Sequence, residues 1–242
     1  MDFQANNRNF EEEAEKYWLM ANFFQYVDPM KHLYYYKKYM NLSSQSIQMR
    51  NNSSVRFLHA SPDAPAVDVY INDERTFTNV RYKNISEYVE LPGGVYQVEV
   101  YPTGEKNVAV LTESLSVEQN ELYTVGAIEE VNNINLFIWT DDPSVPTSET
   151  KFRFIHVSSD TPNVDIAVQG GDVVFSNVAF KEVTEYLGLT PMTVDLEVRV
   201  AGTKNVVLTL DRIKFRPDIG YTVIVVGFAE KKPGLETLFL VP

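Results

Sequence analysis

A histidine and two aspartates fall close together at His59, Asp63 and Asp68, and the same three residue types recur at His156, Asp160 and Asp165. Imidazole and carboxylate are ligands for a divalent cation and are also the groups of acid–base catalysis. The stretches that carry them, HASPDAPAVDVY from His59 and HVSSDTPNVDIA from His156, each read as a strand, an Asp/Pro turn and a second strand. Alternation puts His59 on the face of Val55 and Phe57, the core side of its strand. Asp63 sits in a turn after Ser61 and Pro62, where an aspartate commonly binds backbone N–H groups. Asp68 lies on the face opposite Val67 and Val69, so nothing in the spacing brings it to His59. Both copies have to fold, whereas only one has to act. The expected role of all six residues is therefore structural, with a divalent-cation site as the alternative and no catalytic residue.

Other reactive arrangements are missing from the sequence. His32 stands alone, and no serine or threonine has a base at an informative spacing. Gly93-Gly94 and Gly170-Gly171 lie between strands and not ahead of a helix, which makes them turn residues and not a phosphate loop. The acidic pairs Glu129-Glu130 and Asp141-Asp142 are too short for a calcium loop. The chain has no cysteine, which removes thiolate chemistry and cysteine-bound zinc. No cofactor is expected.

The elements that would hold these residues begin with an aromatic N-terminal segment, residues 1–41. Phe10, Ala14, Tyr17, Ala21 and Phe24 recur near a period of 3.6 behind an N-cap at Asn9, predicting a helix over 9–26. Asp28-Pro29 breaks it, and a second short helix is expected over 30–40. Tyr17, Trp18, Phe23, Phe24, Tyr26, Tyr34, Tyr35, Tyr36 and Tyr39 crowd this segment. Of these, Tyr17, Trp18, Phe24, Tyr34, Tyr35, Tyr36 and Tyr39 are the candidates for docking or self-assembly, because tyrosine and tryptophan supply large contact area at modest entropic cost. Residues 42–54, rich in Ser and Asn, read as a linker. From Val55 the period becomes two, with strands expected at 85–91, 95–101, 107–117, 122–128 and 134–139 as well as around His59 and Asp68. Short strands with turn signals at this density argue for a β-sandwich. A first sandwich over 55–141, a connector over 142–150 and a second sandwich over 151–242 follow.

The second half repeats the first. Arg56, Phe57, His59, Ser61, Asp63, Pro65, Val67 and Asp68 meet Arg153, Phe154, His156, Ser158, Asp160, Pro162, Val164 and Asp165 at an offset of 97. At an offset of 98, Phe77, Asn79, Val80, Lys83, Glu87 and Tyr88 meet Phe175, Asn177, Val178, Lys181, Glu185 and Tyr186, and Tyr123, Thr124 and Val125 meet Tyr221, Thr222 and Val223. Two such openings, each followed by an F-x-N-V segment, and the first copy's PGG turn and Y-T-V-G strand, resemble the bacterial domain-of-unknown-function family 4397 (DUF4397) over residues 55–242. The resemblance implies a mainly β fold of two tandem immunoglobulin-like or transthyretin-like antiparallel β-sandwiches. It also implies the setting of cell-surface or secreted bacterial proteins, with no established activity. The second copy departs from the pattern at Ser159, Asn163 and Ala167, where the first has Pro62, Ala66 and Tyr70, and the N-terminal 54 residues lie outside it.

Charge and targeting signals narrow the function classes. The net charge is −12; residues 1–50 hold six acids and six bases, so the β region carries all of it. Such a surface repels phosphate and speaks against nucleic acid as a partner. The N-terminus lacks a basic cluster followed by an apolar run of about 7–15 residues, so no signal peptide is expected. No window approaches the ~20 apolar residues of a membrane span, and Lys31, Lys37 and Lys38 are too few for a strongly basic membrane-binding face. The leading expectation is a non-enzymatic structural or protein-interaction protein. It is made in the cytoplasm, deposited on a bacterial cell or spore surface as part of a layer or coat, and joined to a protein partner or to itself through the N-terminal helices. The alternative is a module that binds a glycan or a divalent cation. Tyr70, Tyr82, Tyr88 and Trp139 are its candidate sugar platform, with Ala167 and Val241 near the places of Tyr70 and Trp139 in the second copy.

Overall fold

The computed structural model describes residues 3–24, 28–50 and 52–242. Tyr26 lies outside the described residues, as do the side chains of Asn9 and Phe10. The chain divides into two compact units. One comprises Met1–Ser53, Glu90–Gly94 and Val117–Glu121; the other comprises Ser54–Val89, Val95–Ser116 and Leu122–Pro242.

The first unit carries two helices, α1 (Phe3–Phe24) and α2 (Pro29–Arg50). Asp28 caps α2: its Oδ1 accepts from the N–H groups of Met30 and Lys31 at 3.2 and 3.1 Å, with Pro29 at the first helical position. Both helices are longer than expected. α1 begins six residues before Asn9, which is therefore an interior position and not a cap. Residues 42–50, read as linker, are helical, and β structure begins at Asn52. The stretches 3–9 and 41–50 contain no proline or glycine, and the Ser, Asn and Gln that fill them cost a helix only a few tenths of a kcal/mol per residue.

Among the described residues sixteen strands follow, eight in each copy. The first copy holds β1 (Asn52–His59), β2 (Val67–Ile71), β3 (Glu74–Val80), β4 (Val89–Pro92), β5 (Gly94–Pro102), β6 (Leu111–Val117), β7 (Leu122–Ile128) and β8 (Asn135–Asp141). The second holds β9 (Thr150–His156), β10 (Val164–Val168), β11 (Val173–Val178), β12 (Leu187–Leu189), β13 (Met192–Val200), β14 (Val206–Phe215), β15 (Ile219–Val226) and β16 (Glu236–Leu240). The sheet orders repeat with the sequence: β4-β1-β7-β8 and β3-β2-β5-β6 in the first copy, β12-β9-β15-β16 and β11-β10-β13-β14 in the second. The fold is mainly β and consists of two tandem sandwiches, as expected. Antiparallel ladders dominate, but β1 pairs with β7, and β9 with β15, in parallel. Parallel neighbours need a long connection, and here most of each sandwich supplies it.

Strand β3 has no counterpart among the expected strands, because its residues Arg75, Thr76 and Thr78 break the apolar alternation. The strand expected at 85–91 is reduced to a bridge between Leu58 and Ile85 and to the short β4. In this stretch Ser86 does the work of a ladder, donating its N–H to Phe57 O at 2.9 Å while its Oγ accepts from Phe57 N at 2.9 Å.

Each sandwich has its own core. In the second copy Phe152, Phe154, Val164, Ile166, Leu196, Val198, Val223 and Val225 pack into one cluster. Their counterparts Val55, Phe57, Val67, Val69, Val98, Val100, Val125 and Ala127 are all buried in the first. A separate cluster joins the copies: Leu58, Ala60, Ile128 and Trp139 pack with Ile155, Val157, Ile224, Val226 and Leu240. The central strands β1, β7, β9 and β15 of these two sheets are thus buried on both faces over most of their length, and every residue of β9 is buried. Large aliphatic side chains in such a seam contribute about 1.5–3 kcal/mol each.

Candidate functional site

The two His/Asp sets are placed alike in the two copies. His59 and His156 are fully buried at the ends of β1 and β9. Nε2 of His59 lies 2.9 Å from Pro65 O, and Nε2 of His156 lies 3.2 Å from Pro162 O. A carbonyl only accepts, so both rings carry their proton on Nε2. Burial holds both imidazoles below the usual histidine range, against the opposing effect of these carbonyls. Asp63 accepts from Val131 N at 2.8 Å, and Asp160 accepts from Ala229 N at 2.7 Å and Glu230 N at 3.2 Å. Asp68 accepts from Asn79 N at 2.8 Å and Gly104 N at 3.3 Å, and Asp165 from Asn177 N at 2.7 Å and Gly202 N at 2.8 Å. Asn79 and Asn177, with φ of 50° and 56°, are held in the left-handed region by these bonds. Burial alone would raise the Asp68 carboxyl, but the N–H donors of Asn79 and Gly104 leave it below its ordinary value. The four carboxylates are spent on backbone N–H groups of different loops. Among the described residues no three His, Asp or Glu side chains come together as a metal would need.

A second polar constellation went unassigned in the sequence. At the seam between the copies Arg56 and Arg153 flank Asp141, whose side chain is fully buried. Arg56 Nη2 donates to one carboxylate oxygen and Arg153 Nη2 to the other, each at 3.0 Å. Arg56 Nε reaches Thr124 Oγ1 at 2.8 Å and Arg153 Nε reaches Thr222 Oγ1 at 3.0 Å. Each arginine also crosses to the other copy, Arg56 to Val241 O and Arg153 to Thr140 O, both at 2.8 Å. The β7–β8 and β15–β16 registers make Thr140 and Val241 equivalent, so the crossing is two-fold in form. They also make Leu240, not Val241, the equivalent of Trp139 in the second copy. Tyr88 and Tyr186 cover the guanidinium groups at 4.6 and 4.5 Å. The Tyr88 hydroxyl donates to Asp141 at 2.8 Å, and burial together with that carboxylate pushes it well above the usual phenol range. Lys83 with Glu236, Lys181 with Glu129 and Lys231 with Glu130 add ion pairs across the same seam. The sequence signal was present: an arginine repeated at offset 97 on the same strand face as Leu58 and Ile155 marks a face that is not solvated.

Beside this junction a cleft of about 570 Å³ is lined by Tyr123, Trp139, Asp142, Thr184, Glu185 and Tyr186. Burial alone would raise the Asp142 carboxyl, but the Lys151 ammonium and Ser144 bring it down to about 2. The proposed sugar-platform rings are otherwise occupied. Tyr70 carries Lys106 on its face at 4.2 Å, Tyr82 packs on the seam cluster, and Trp139 is 5% exposed.

The helical unit gives the remaining candidates. Ala14 and Ala21 are buried, and His32 Nδ1 lies 2.9 Å from Ala21 O, tying α2 to α1. Tyr17 stacks on Tyr35 at 6.3 Å, Phe24 on Tyr35 at 5.6 Å, and Trp18 meets Tyr39 at 5.2 Å. Of the seven aromatic candidates, Tyr17, Phe24, Tyr35 and Tyr39 are half-buried in this hairpin, whereas Trp18, Tyr34 and Tyr36 stand exposed. The structure adds side chains outside those seven candidates: Leu19, Met20, Phe23, Met30 and Leu33 are exposed, Phe23 by 69% and Met30 by 77%.

The family profile described as a domain of unknown function (DUF4397) matches residues 53–167 and again 150–241. No curated protein matches the chain. Among solved structures, the Bacillus anthracis TIE protein is similar at 13% identity and a TM-score of 0.22, over 73% of this chain and 33% of that one. This chain thus spans about a third of the length of that protein. A candidate cell adhesion protein from Bacteroides fragilis is similar at 8% identity and a TM-score of 0.19, over 80% of this chain and 97% of that one. At these scores neither likeness bears on fold or function.

Proposed function

We propose, for a chain that belongs to the DUF4397 family and contains two copies of its domain, the role of a non-enzymatic structural protein that joins a bacterial surface layer or coat through its helical hairpin. The observation that carries this reading is the apolar surface around Leu19, Phe23, Met30 and Leu33 that the hairpin leaves uncovered. The sandwiches, by contrast, use their most reactive-looking side chains as internal fastenings, as the hydrogen bonds of His59, Asp68, His156 and Asp165 illustrate. The placement on a cell or spore surface rests on the family resemblance. Light scattering on the full chain and on a chain starting at Ser53, together with their distribution between the soluble and particulate fractions of the producing cell, tests the reading. A hairpin that assembles or docks makes the two chains differ in mass or in distribution, and identical behaviour in both measurements rejects the role.

A second reading has one observation in its favour. The cleft beside the junction sets the ring of Tyr186 near the carboxylates of Asp142 and Glu185, a combination that suits sugar recognition. Binding to the folded state alone raises apparent stability. A thermal-shift panel of glycans, and of calcium with and without chelator, in which no member moves the melting temperature by about 1 °C or more excludes it.

A further inference from the structure

If the hairpin is the assembly element proposed above, its two exposed faces specify what it binds. On α1, Glu12, Lys16, Leu19 and Phe23 recur at steps of four, three and four, the spacing of a single helix face, and all are exposed. On α2, Met30, Leu33 and Lys37 do the same at steps of three and four. The seam inside the hairpin is made by Ala14, Tyr17 and Ala21 on α1 and by His32, Tyr35 and Tyr39 on α2. At 3.6 residues per turn, the two exposed stripes therefore lie about half a turn from the seam, on opposite sides of the hairpin.

The stripes match each other in two respects. Along both helices the apolar part lies nearer the interhelical turn, with Leu19 and Phe23 on one and Met30 and Leu33 on the other, and the charged part lies farther away. The α1 stripe itself holds Glu12 and Lys16 and the α2 stripe holds Lys37; it is the charges flanking the stripes, Glu13 and Glu15 on α1 and Lys38 on α2, that are opposite in sign. α1 presents Glu12, Glu13 and Glu15 against one base, Lys16, whereas α2 presents Lys37 and Lys38. Lys16 has Glu12 one turn before it, the spacing at which a carboxylate and an ammonium meet.

We propose that the α1 stripe of one chain seats on the α2 stripe of a second copy, antiparallel and with the interhelical turns at the same end, so that chains associate head to tail through their hairpins. Within the hairpin Tyr17 lies level with Tyr35 and Ala21 with His32. Repeating that register between chains brings Leu19 and Phe23 to Leu33 and Met30, Glu15 to Lys37 and Lys38, and Lys16 level with Lys37, where Glu15 and Glu12 offset the like charge. Because the stripes lie on opposite sides, the contact is heterologous and leaves a free stripe at each end of the growing array. Pairing α1 with α1 would instead set acids against acids and close the assembly at two chains.

The test uses full-length chains in light scattering across a concentration series. The wild type increases in mass with concentration. The variants Leu19→Glu/Phe23→Glu and Met30→Glu/Leu33→Glu are each monomeric alone, and their equimolar mixture gives two chain masses and nothing larger. The substitutions are at exposed positions; should either variant lose helicity by circular dichroism, the pair Glu13→Lys/Glu15→Lys and Lys37→Glu/Lys38→Glu replaces them, each weakening assembly alone and restoring it when mixed. A Met30→Glu/Leu33→Glu chain that still dimerises, or a mixture that stays monomeric, overturns the head-to-tail contact. A wild type that is monomeric at every concentration overturns it too, and one that then cosediments with phosphatidylcholine/phosphatidylglycerol vesicles shows a lipid surface to be the occupant. The broader docking reading fails separately, when the full chain and the chain starting at Ser53 also distribute identically between soluble and particulate fractions.

Discussion

Arg56 and Arg153, related by the internal duplication, grip the two oxygens of one buried carboxylate, Asp141, at 3.0 Å each. The relation is symmetric in the arginines and asymmetric in the acid, since the β15–β16 register sets Pro242 at the place that Asp141 holds in the first copy. Two cations thus share a single acidic side chain beside the apolar cluster that joins the copies. Charges taken out of water are tolerated only when paired and hydrogen-bonded throughout, and here Thr124, Thr222, Tyr88 and two carbonyls supply the remaining bonds. The junction fixes how one copy meets the other, because each arginine reaches a carbonyl of the opposite copy.

Removing the carboxylate alone should be costly. Asp141→Ala leaves two buried guanidinium groups without their anion, and breaking a buried pair in this way costs about 3–5 kcal/mol. Replacing all three partners with apolar residues, as in Arg56→Met/Asp141→Leu/Arg153→Met, should recover most of that loss. Urea unfolding of the three chains measures both quantities. A loss below about 1 kcal/mol for Asp141→Ala would mean that water reaches the junction.

The buried histidines give stability a defined dependence on pH. Both imidazoles have folded-state values below the 6.5 of a free histidine, so between those values the unfolded chain binds more protons than the folded one. Stability is then fully present above about pH 6.5 and falls as pH drops through the folded values, by at most about 1.4 kcal/mol per pH unit for each histidine. The variant His59→Gln/His156→Gln keeps a donor for Pro65 O and Pro162 O but cannot titrate. Its stability should be lower near neutral pH and should decline less between about pH 6.5 and 5. Unfolding curves with the same slope in both chains over that window would reject the assignment.

How far the sequence was legible depends on which rule each residue obeys. The duplication and period-two strands around Val67 and Val164 reflect local alternation with one face buried, and the two sandwiches followed from them. His59, which alternation puts with Val55 and Phe57, is buried, as is its counterpart His156. Alternation was misleading at Arg56 and Leu58, which lie opposite Val55 and Phe57 and would face water in a single sandwich. They are buried because a second sandwich covers them, and no local pattern states which sheet will be covered. β3 escaped because Arg75 and Thr78 on an exposed edge obey no apolar period. In the helices the aromatic rings drew attention to Tyr17 and Tyr35, which the hairpin consumes internally. The exposed surface lies instead at Leu19, Phe23, Met30 and Leu33, visible only once the seam is known.

Gly227 should be intolerant of any side chain. Its φ is 91°, and a Cβ there would lie 2.2 Å from Gly234 O and 2.9 Å from Gly234 C, both backbone atoms that cannot step aside. Gly202 is a control with φ of 70° and open space around it. Gly202→Ala should cost about 1–2 kcal/mol of left-handed strain, and Gly227→Ala clearly more. Equal losses in thermal unfolding would show that the loop from 228 to 235 moves away freely.

The two copies differ at one buried hydroxyl, and the difference can be transplanted. In the second copy Ser158 Oγ bonds Thr161 Oγ1 at 2.6 Å and Gly227 O at 2.7 Å, and Ser158 N lies 3.3 Å from His156 Nδ1. In the first copy Ser61 Oγ and His59 Nδ1 are buried without a hydrogen-bond partner among the described residues, and Ala64 stands where Thr161 does. A buried polar group left unpaired costs about 1–3 kcal/mol, and a new hydrogen bond contributes about 0.5–1.5 kcal/mol net. Ala64→Thr should therefore stabilise the protein by roughly 0.5–1.5 kcal/mol, by giving Ser61 the partner that Ser158 already has. The gain should vanish when Ser61→Ala is made in the same chain. A double-mutant cycle measures that coupling, and an Ala64→Thr effect that is unchanged by Ser61→Ala would show that the added hydroxyl bonds elsewhere.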